Sequence, residues 1–400
     1  MDYGHSSSPI APRYARSLDL EGVVLERYSN GARAREGTLC SPVSYDAKYL
    51  EALPEAIRER DYGCGDPSRF VHPGETVLDL GSGSGKICYI LSQIVGATGR
   101  VIGVDFNDEM LALARKHQED LGRRLGYLNM EFRKGKIQDL ALDCERLDAY
   151  LEKHPARSSE DLLRIHNVEE ELRRTAPLIA NGSVDLIVSN CVLNLVRPDD
   201  RGQLFREMHR VLRPEGRVAI SDIVADESVP EHLQRDPDLW SGCVSGAFLE
   251  EEFLKAFEQA GFHGLTLESW NREPYRTVEG IEFRSVTLTA YKGEEGQCLE
   301  RNQAVVYRGP FKSVTDDGHH VYPRGVRVAV CEKTFRLLAL GPYKDDMIFI
   351  EPKAEIPIEQ AAPFDCSRTA SRHPRESKGM DYKITTAAPA SCCEPSSGCC

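Results

Sequence analysis

Two kinds of residue in this sequence carry recognisable chemistry, thiols placed in loops and an acid followed by alternating glycines. Thirteen cysteines stand among 400 residues. Residues 1–17, MDYGHSSSPIAPRYARS, lack the apolar core of a secretory leader, and in an unsecreted chain that many cysteines point to thiol chemistry, metal binding or redox cycling more than to structural disulfides. Three of them have suggestive settings: Cys64 in Tyr62-Gly63-Cys64-Gly65, Cys191 in Ser189-Asn190-Cys191, and Cys243 in Trp240-Ser241-Gly242-Cys243-Val244-Ser245-Gly246-Ala247. A flanking glycine leaves a loop backbone free to bend inward. The second group is Asp79-Leu80-Gly81-Ser82-Gly83-Ser84-Gly85, the turn that ends an apolar run.

The elements that position these groups follow from periodicity. Val77, Leu78 and Leu80 read as a strand buried in a parallel sheet. Ile87, Ile90, Leu91, Ile94 and Val95 then recur at helix spacing. Strand, glycine turn and helix form the first unit of a doubly wound α/β domain, whose ligand lies beyond the carboxyl ends of the strands. Further strands are read at Arg100–Asp105, Asn129–Arg133, Val184–Asn190 and Arg217–Ile223. Helices are read after Asn107, over Arg201–Leu212 and over Leu249–Ala260. Gly264–Trp270 and Ile281–Tyr291 supply two last strands that can pair antiparallel. Seven strands with that ending are the class I methyltransferase Rossmann-like plan rather than the six-strand dinucleotide plan.

The glycine spacing narrows the cofactor. A dinucleotide fingerprint needs G-x-G-x-x-G, and Lys86 occupies its last position, leaving G-x-G-x-G. Asp105, at the end of the second strand and followed by Phe106, is the acid expected to hold ribose hydroxyls. Ribose without pyrophosphate fits S-adenosylmethionine, with Asp79, Gly81, Ser82, Gly83 and Gly85 around it and the loop from Lys134 to Asp139 over its adenine. The alternative, a nicotinamide or flavin domain, is disfavoured by the shortened spacing. Cys191 follows the fourth strand, where this fold places its methyl acceptor, and the Cys64 and Cys243 loops reach the same mouth. Three thiolates without a histidine suit a soft ion; three rather than four suit trivalent arsenic with its lone pair, whereas zinc would want a fourth ligand or a water.

Composition sets outer bounds. A net charge of −13 argues against a general nucleic-acid binder. No apolar run is long enough to span a membrane, so the reducing cytoplasm is the expected home, and the lack of an extended apolar surface pattern points to a monomer. Residues 1–70 read as an N-terminal arm, mobile to about residue 17, and a cysteine-bearing cap; 71–293 as the catalytic domain, with a charged helical insertion at 141–180; 297–360 as a small α+β or β domain; and 361–400 as a disordered tail ending in Cys392-Cys393 and Cys399-Cys400. Cys88 and Cys331 read as core residues, while Cys144, Cys298 and Cys366 carry no signal. Asp316-Asp317-Gly318-His319-His320 reads as a solvated turn rather than a metal site.

Over about residues 40–292 the sequence resembles the arsenite methyltransferases, and more weakly over Gln297–Lys333. The resemblance is carried by Tyr62 to Gly65, Asp79 to Gly96, Ser189-Asn190-Cys191-Val192-Leu193-Asn194-Leu195-Val196 and Trp240 to Ala247. It implies that Cys64, Cys191 and Cys243 hold As(III), delivered as a thiol complex such as that of glutathione, for methylation to mono- and dimethylated arsenicals. It also implies that Tyr62 lies near the methyl donor and that Ile137 and Gln138 fall in the adenine loop. Cys40 matches a fourth cysteine that exchanges with Cys64 in thiol capture and disulfide formation, with thioredoxin or glutathione as reductant. No bound metal cofactor is expected. The chain departs from the family in the 141–180 insertion, in Tyr28-Ser29-Asn30-Gly31, and around Cys40. Two other readings stay open, a methyltransferase for a small organic acceptor and a thiol-based metal-binding or redox protein that has kept this fold.

Overall fold

A computed structural model of the chain describes residues 13–34, 36, 43, 45–60, 62–293, 296–366 and 370–378, with backbone alone over 13–20. Cys40 and the four terminal cysteines lie outside the described residues. The chain divides into two compact units, 1–293 and 294–400.

The first unit is built on one sheet. Strands β1 (Thr76–Leu80), β2 (Arg100–Asp105), β3 (Met130–Lys134), β4 (Val184–Asn190), β5 (Leu212–Ala225), β6 (Phe262–Trp270) and β7 (Ile281–Lys292) lie in the order 3-2-1-4-5-7-6, and the short runs Phe248–Leu249 and Arg276–Val278 pair at its margins. The first five are parallel, and β7 inserts antiparallel between β5 and β6, with Ile220 opposite Leu288. Both faces are covered, which is why the strands read as near-continuous apolar runs. Leu78, Leu80, Ile102 and Ile187 pack against Leu204, Phe205 and Met208 of α6 (Pro198–Val211) and Phe253 and Phe257 of α7 (Glu250–Gln259). Val77, Val101, Leu186 and Val188 face the other way, onto Ile87 and Ile90 of α2 (Lys86–Val95) and Leu111 and Ala114 of α3 (Asp108–Leu125). Asn107 caps α3 by accepting the Met110 N–H at 3.0 Å, and Gly126, at φ 80°, ends it.

One expectation is corrected at the N-terminus. The arm expected to be mobile to about residue 17 becomes helical at Arg13, and the helix α1 runs unbroken to Arg33. Its polar residues tie it down: Ser29 and Arg33 both donate to the Glu109 carboxylate at 2.9 Å, Asn107 donates to the Leu25 carbonyl at 3.0 Å, and Arg27 donates to Ser241 Oγ at 2.8 Å. These partners are tens to hundreds of residues away, so no local pattern announced them. The 141–180 insertion is two helices, α4 (Cys144–Lys153) and α5 (Ser159–Thr175), the second burying none of its residues.

The second unit holds a three-stranded antiparallel sheet, with Ala304–Tyr307 between Arg327–Ala329 and Met347–Ile350, and the helix Glu332–Leu338. The turn Asp316–His320 closes a hairpin between Ser313–Thr315 and Val321–Pro323, and the Asp316 carboxylate is taken up by His320 and Tyr322 rather than left for a metal. The tail expected to be disordered from residue 361 is a second correction over residues 361–366 and 370–378, while 379–400 lie outside the described residues. Ala362–Pro363 pairs with Leu299–Glu300, and Arg372, 3% exposed, reaches Glu300, Glu376 and the Gln303 carbonyl. A polar composition hid an arginine whose charge is satisfied by ion pairs.

Two glycines of the first turn differ in what surrounds them. A Cβ on Gly85 (φ +82°) would stand 2.8 Å from Phe132 and 3.1 Å from Ala114, whereas one on Gly83 (φ +50°) would meet nothing within 4 Å. A left-handed side chain costs about 1–2 kcal/mol and overpacking about 1–3 more. Gly85→Ala should therefore lower stability by about 2–5 kcal/mol and Gly83→Ala by about 1–2, as measured by the urea midpoint.

Candidate functional site

The carboxyl ends of β1, β2 and β4 open into a cavity of about 420 Å³, within the usual range for small-molecule sites, about 300–1,000 Å³. Of the residues read as cofactor-binding, Gly81, Gly83, Asp105, Phe106, Ile137 and Gln138 line it. Asp105 shapes the turn as well, accepting the Gly83 N–H on one oxygen and the Asn107 N–H on the other, both at 2.8 Å. Because the glycine turn has no Cβ at Gly83, ligand atoms can approach the backbone there.

Asp79, Ser82, Gly85 and Tyr62 do not line the cavity. Asp79 is buried against the Cys88 thiol at 3.2 Å, and burial pushes its carboxyl up to about 7. Cys88 is thus a partner for Asp79 as well as a core residue. Gly85 lets α2 pass close to Phe132. Tyr62 donates to the Gly31 carbonyl at 3.0 Å and stands edge-on to Tyr28, their ring centroids 6.4 Å apart. It is Tyr28, with Glu21, Gly22, Val24 and Leu25 of α1, that reaches the cavity. The sequence signal for these residues was the helical run of α1, which was read as an arm. Val192, Leu195 and Val196 supply the apolar wall beyond β4.

Next to that wall the thiols gather. The Cys64 and Cys191 sulfurs and a carboxylate oxygen of Asp222 lie within 4.8 Å of one another. Cys243 packs in the same apolar pocket, outside that close set of three ligand atoms, and its thiol donates to the Cys191 carbonyl at 2.9 Å. Cys191 is 1% and Cys243 0% exposed, among Ile223, Leu239, Val244 and Phe283. Both adopt left-handed backbone, with φ 63° and 60°, a conformation that costs a non-glycine residue about 1–2 kcal/mol and collects at functional sites.

Asn190 holds the Cys64 loop in place. Its Oδ1 accepts the N–H groups of Cys64 at 2.8 Å and Gly65 at 3.2 Å, and its Nδ2 donates to the Gly65 carbonyl at 2.7 Å. Gly63 and Gly65 prove to be required for close approach rather than for bending. A Cβ on Gly63 would lie 2.3 Å from Asn190, and one on Gly65 2.4 Å from Ser221. On the other side Ser285 donates to the Cys64 carbonyl at 2.6 Å. Asn194 does the same for the third thiol, donating to the carbonyls of Ile223 at 2.7 Å and Cys243 at 3.2 Å.

Asp222, at the end of β5, was missed in the sequence. It is fully buried, accepts the Leu193 N–H at 2.9 Å, and burial, with Cys243 beside it, pushes its carboxyl up to about 8. Burial also raises the Cys64 thiol, although its hydrogen bond to Cys191 acts against this. At neutral pH the pocket therefore holds a neutral Cys64 thiol beside a mostly neutral Asp222.

Comparison with known proteins adds three findings. A methyltransferase domain model matches residues 71–261, and a model of a domain of unknown function matches residues 294–382. An arsenite methyltransferase of Aquipseudomonas alcaligenes is 33% identical over 303 residues, 72% of this chain and 77% of that protein. The arsenite methyltransferase of Homo sapiens is 30% identical over 322 residues, 76% and 75% of the two chains. Among solved structures, the crystal structure of an arsenic(III) S-adenosylmethionine methyltransferase from Chlamydomonas reinhardtii superposes with a TM-score of 0.52 at 25% identity, covering 81% of this chain and all of that one.

A buried acid with a raised pKa binds more protons folded than unfolded, so stability falls as pH rises from its ordinary value, 3.8, to about 8 for Asp222. The urea midpoint should decline as pH rises across that window, and the decline should be shallower in Asp222→Asn. An unchanged slope would show that Asp222 does not titrate this way.

Proposed function

This chain belongs to the arsenite methyltransferases, and we propose that Cys64, Cys191 and Cys243 hold its As(III) while the glycine-turn cavity holds its methyl donor. It is an S-adenosylmethionine-dependent methyltransferase that methylates arsenic, and mono- and dimethylated arsenicals are the proposed products. One observation carries the assignment of the site: the Cys64 and Cys191 sulfurs lie together in an apolar pocket that also buries Cys243, whose thiol donates to the Cys191 carbonyl, beside the cavity that the glycine turn and Asp105 line.

The cavity fits the donor on its own features. Gly83 leaves space for ligand against the backbone, Ile137 and Gln138 line the cavity, and Asp105 closes the end of β2. When bound, S-adenosylmethionine supplies a methyl carbon made electrophilic by its positive sulfur, and the lone pair of three-coordinate arsenic is the nucleophile for it. Thiols of ordinary pKa, about 8.5, are only a few per cent ionised at neutral pH until a soft ion displaces the protons. From a thiol complex of As(III), three As–S bonds to the enzyme form as the three bonds to the carrier thiols break, each carrier sulfur leaving with the proton of an enzyme thiol, and the neutral product suits the buried pocket. Arsenic carries no proton to lose, so no general base is required. Nor does this reading call for a resident metal cofactor. The chain's main task is to hold the two reactants in line, a contribution of up to roughly 7–11 kcal/mol for near-ideal alignment. The dry surroundings of Cys191 and Cys243 keep water from competing for the methyl group.

Methylation leaves arsenic pentavalent, and a second round needs two electrons. Cys40 and Cys64 are proposed to give them by joining in a disulfide, which thioredoxin or glutathione then reduces. The arsenic reaches the enzyme as a thiol complex, such as that with glutathione, in the cytoplasm, and the enzyme acts as a monomer. None of the described helices is long and apolar enough to cross a membrane.

Purified protein incubated with arsenite, excess thiol and S-adenosylmethionine should yield methylated arsenicals, separated by chromatography with elemental mass detection. Cys191→Ser should give none while remaining folded and able to bind the donor. Product from the variant at the wild-type rate would transfer the reaction to another site. In Cys40→Ser a first methylation should survive while multiple turnovers slow; equal loss of both would remove Cys40 from the electron path.

A further inference from the structure

The second unit contains another meeting of thiols, which the reading of single cysteines did not anticipate. The sulfurs of Cys298, Cys331 and Cys366 lie within 4.8 Å of one another, and none is in a disulfide. They come from three separate segments. Cys298 precedes the strand Leu299–Glu300 and its carbonyl accepts the Phe364 N–H at 2.8 Å, so the pairing of that strand with Ala362–Pro363 brings Cys366 alongside. Cys331 is buried at the start of the helix Glu332–Leu338, where its sulfur accepts the Thr334 N–H at 3.4 Å.

We propose that Cys298, Cys331 and Cys366 form a second three-thiol site for inorganic As(III), sharing no residue with the catalytic set. The chemistry of the donor set favours this ion. Three sulfurs complete the coordination of an ion that keeps a lone pair, whereas zinc would lack its fourth ligand. Charge points the same way. Arsenous acid meets three thiols with loss of three waters, forming three As–S bonds and leaving the cluster neutral. Zn(II) on three thiolates would instead leave a buried net negative charge, which is costly. A void of about 10 Å³, roughly the room for one small guest, opens beside Cys331, lined by Val330, Thr334 and Phe364.

The test uses the full chain. Eight of the thirteen cysteines, Cys40, Cys64, Cys191, Cys243, Cys392, Cys393, Cys399 and Cys400, are replaced by serine, leaving Cys88, Cys144 and the cluster. After incubation with arsenite and desalting, arsenic per chain is counted by elemental mass detection. One equivalent should be retained, and adding Cys366→Ser should weaken retention about tenfold or more. If the eightfold variant does not fold, the comparison is wild type against Cys366→Ser alone: one fewer arsenic per chain at saturation, with the initial methylation rate unchanged. The count is independent of turnover, so it stands even if no methylated product forms. Equal arsenic counts with and without Cys366, or a tightly held zinc that arsenite does not displace, would overturn the proposal.

Discussion

The side-chain amide of Asn190 is the interaction on which the rest of the site depends. It ends β4, one residue before Cys191, and spends its acceptor and a donor on the backbone of Cys64 and Gly65. A loop from before the first strand is thereby fixed to the end of the fourth, and two thiols distant in sequence become neighbours. Each such hydrogen bond contributes only about 0.5–1.5 kcal/mol net. Removing the amide costs more, because it would strand backbone groups in a largely buried interface at about 1–3 kcal/mol each. Neither aspartate, which has no donor when ionised, nor serine, which is too short, replaces it. The glycines at 63 and 65 are the counterpart of this clamp, since a side chain at either would collide with Asn190 or Ser221.

Around the clamp the pocket keeps features that folding alone would not favour. Cys191 and Cys243 occupy left-handed backbone, and Asp222 is buried where its carboxyl is pushed up to about 8. Each feature lowers stability and each sits at the sulfur cluster. Strain concentrated in this way marks a site held ready for a ligand. The sheet supplies the rigidity, with apolar side chains packed on both faces of β1, β4 and β5. The α1 helix closes the far side of the cavity through contacts with α3 and with Ser241, two residues before Cys243. The glycine-turn cavity and the thiol pocket thus share a wall, because Tyr28 both lines the cavity and approaches the Cys243 sulfur at 3.8 Å.

Much of this was legible in the sequence, for physical reasons. Runs such as Val77–Leu80 and Val184–Val188 are read correctly because a strand buried on both faces is mostly apolar, with Asp79 and Asp185 the exceptions, and glycine spacing is read correctly because a left-handed turn favours glycine. The cysteines stood out by their loop settings and by a resemblance. What stayed hidden depended on partners far along the chain. Asp222 looks like any strand-end acid until burial beside two sulfurs is known, and Asn190 like any polar residue until its four contacts are seen. Arg372 sits in a stretch whose composition signals disorder, because composition does not reveal that Glu300 and Glu376 neutralise it. Cys298, Cys331 and Cys366 carry no local motif at all; only the pairing of Leu299–Glu300 with Ala362–Pro363 assembles them.

The central claim is that arsenic in the catalytic pocket is bound by sulfur from Cys64, Cys191 and Cys243, and its rival is visible in the same pocket. Cys64, Cys191 and the Asp222 carboxylate lie within 4.8 Å of one another, a set of two sulfurs and one oxygen. Arsenic X-ray absorption distinguishes them directly. The measurement uses the chain with Cys298, Cys331, Cys366 and the four terminal cysteines replaced by serine, loaded with less than one equivalent of arsenite. Three sulfur neighbours and no oxygen, changing to two sulfurs and one oxygen in Cys243→Ser, is the predicted result. Two sulfurs with an oxygen from the outset, unchanged by Cys243→Ser and lost in Asp222→Asn, would contradict the three-thiol account.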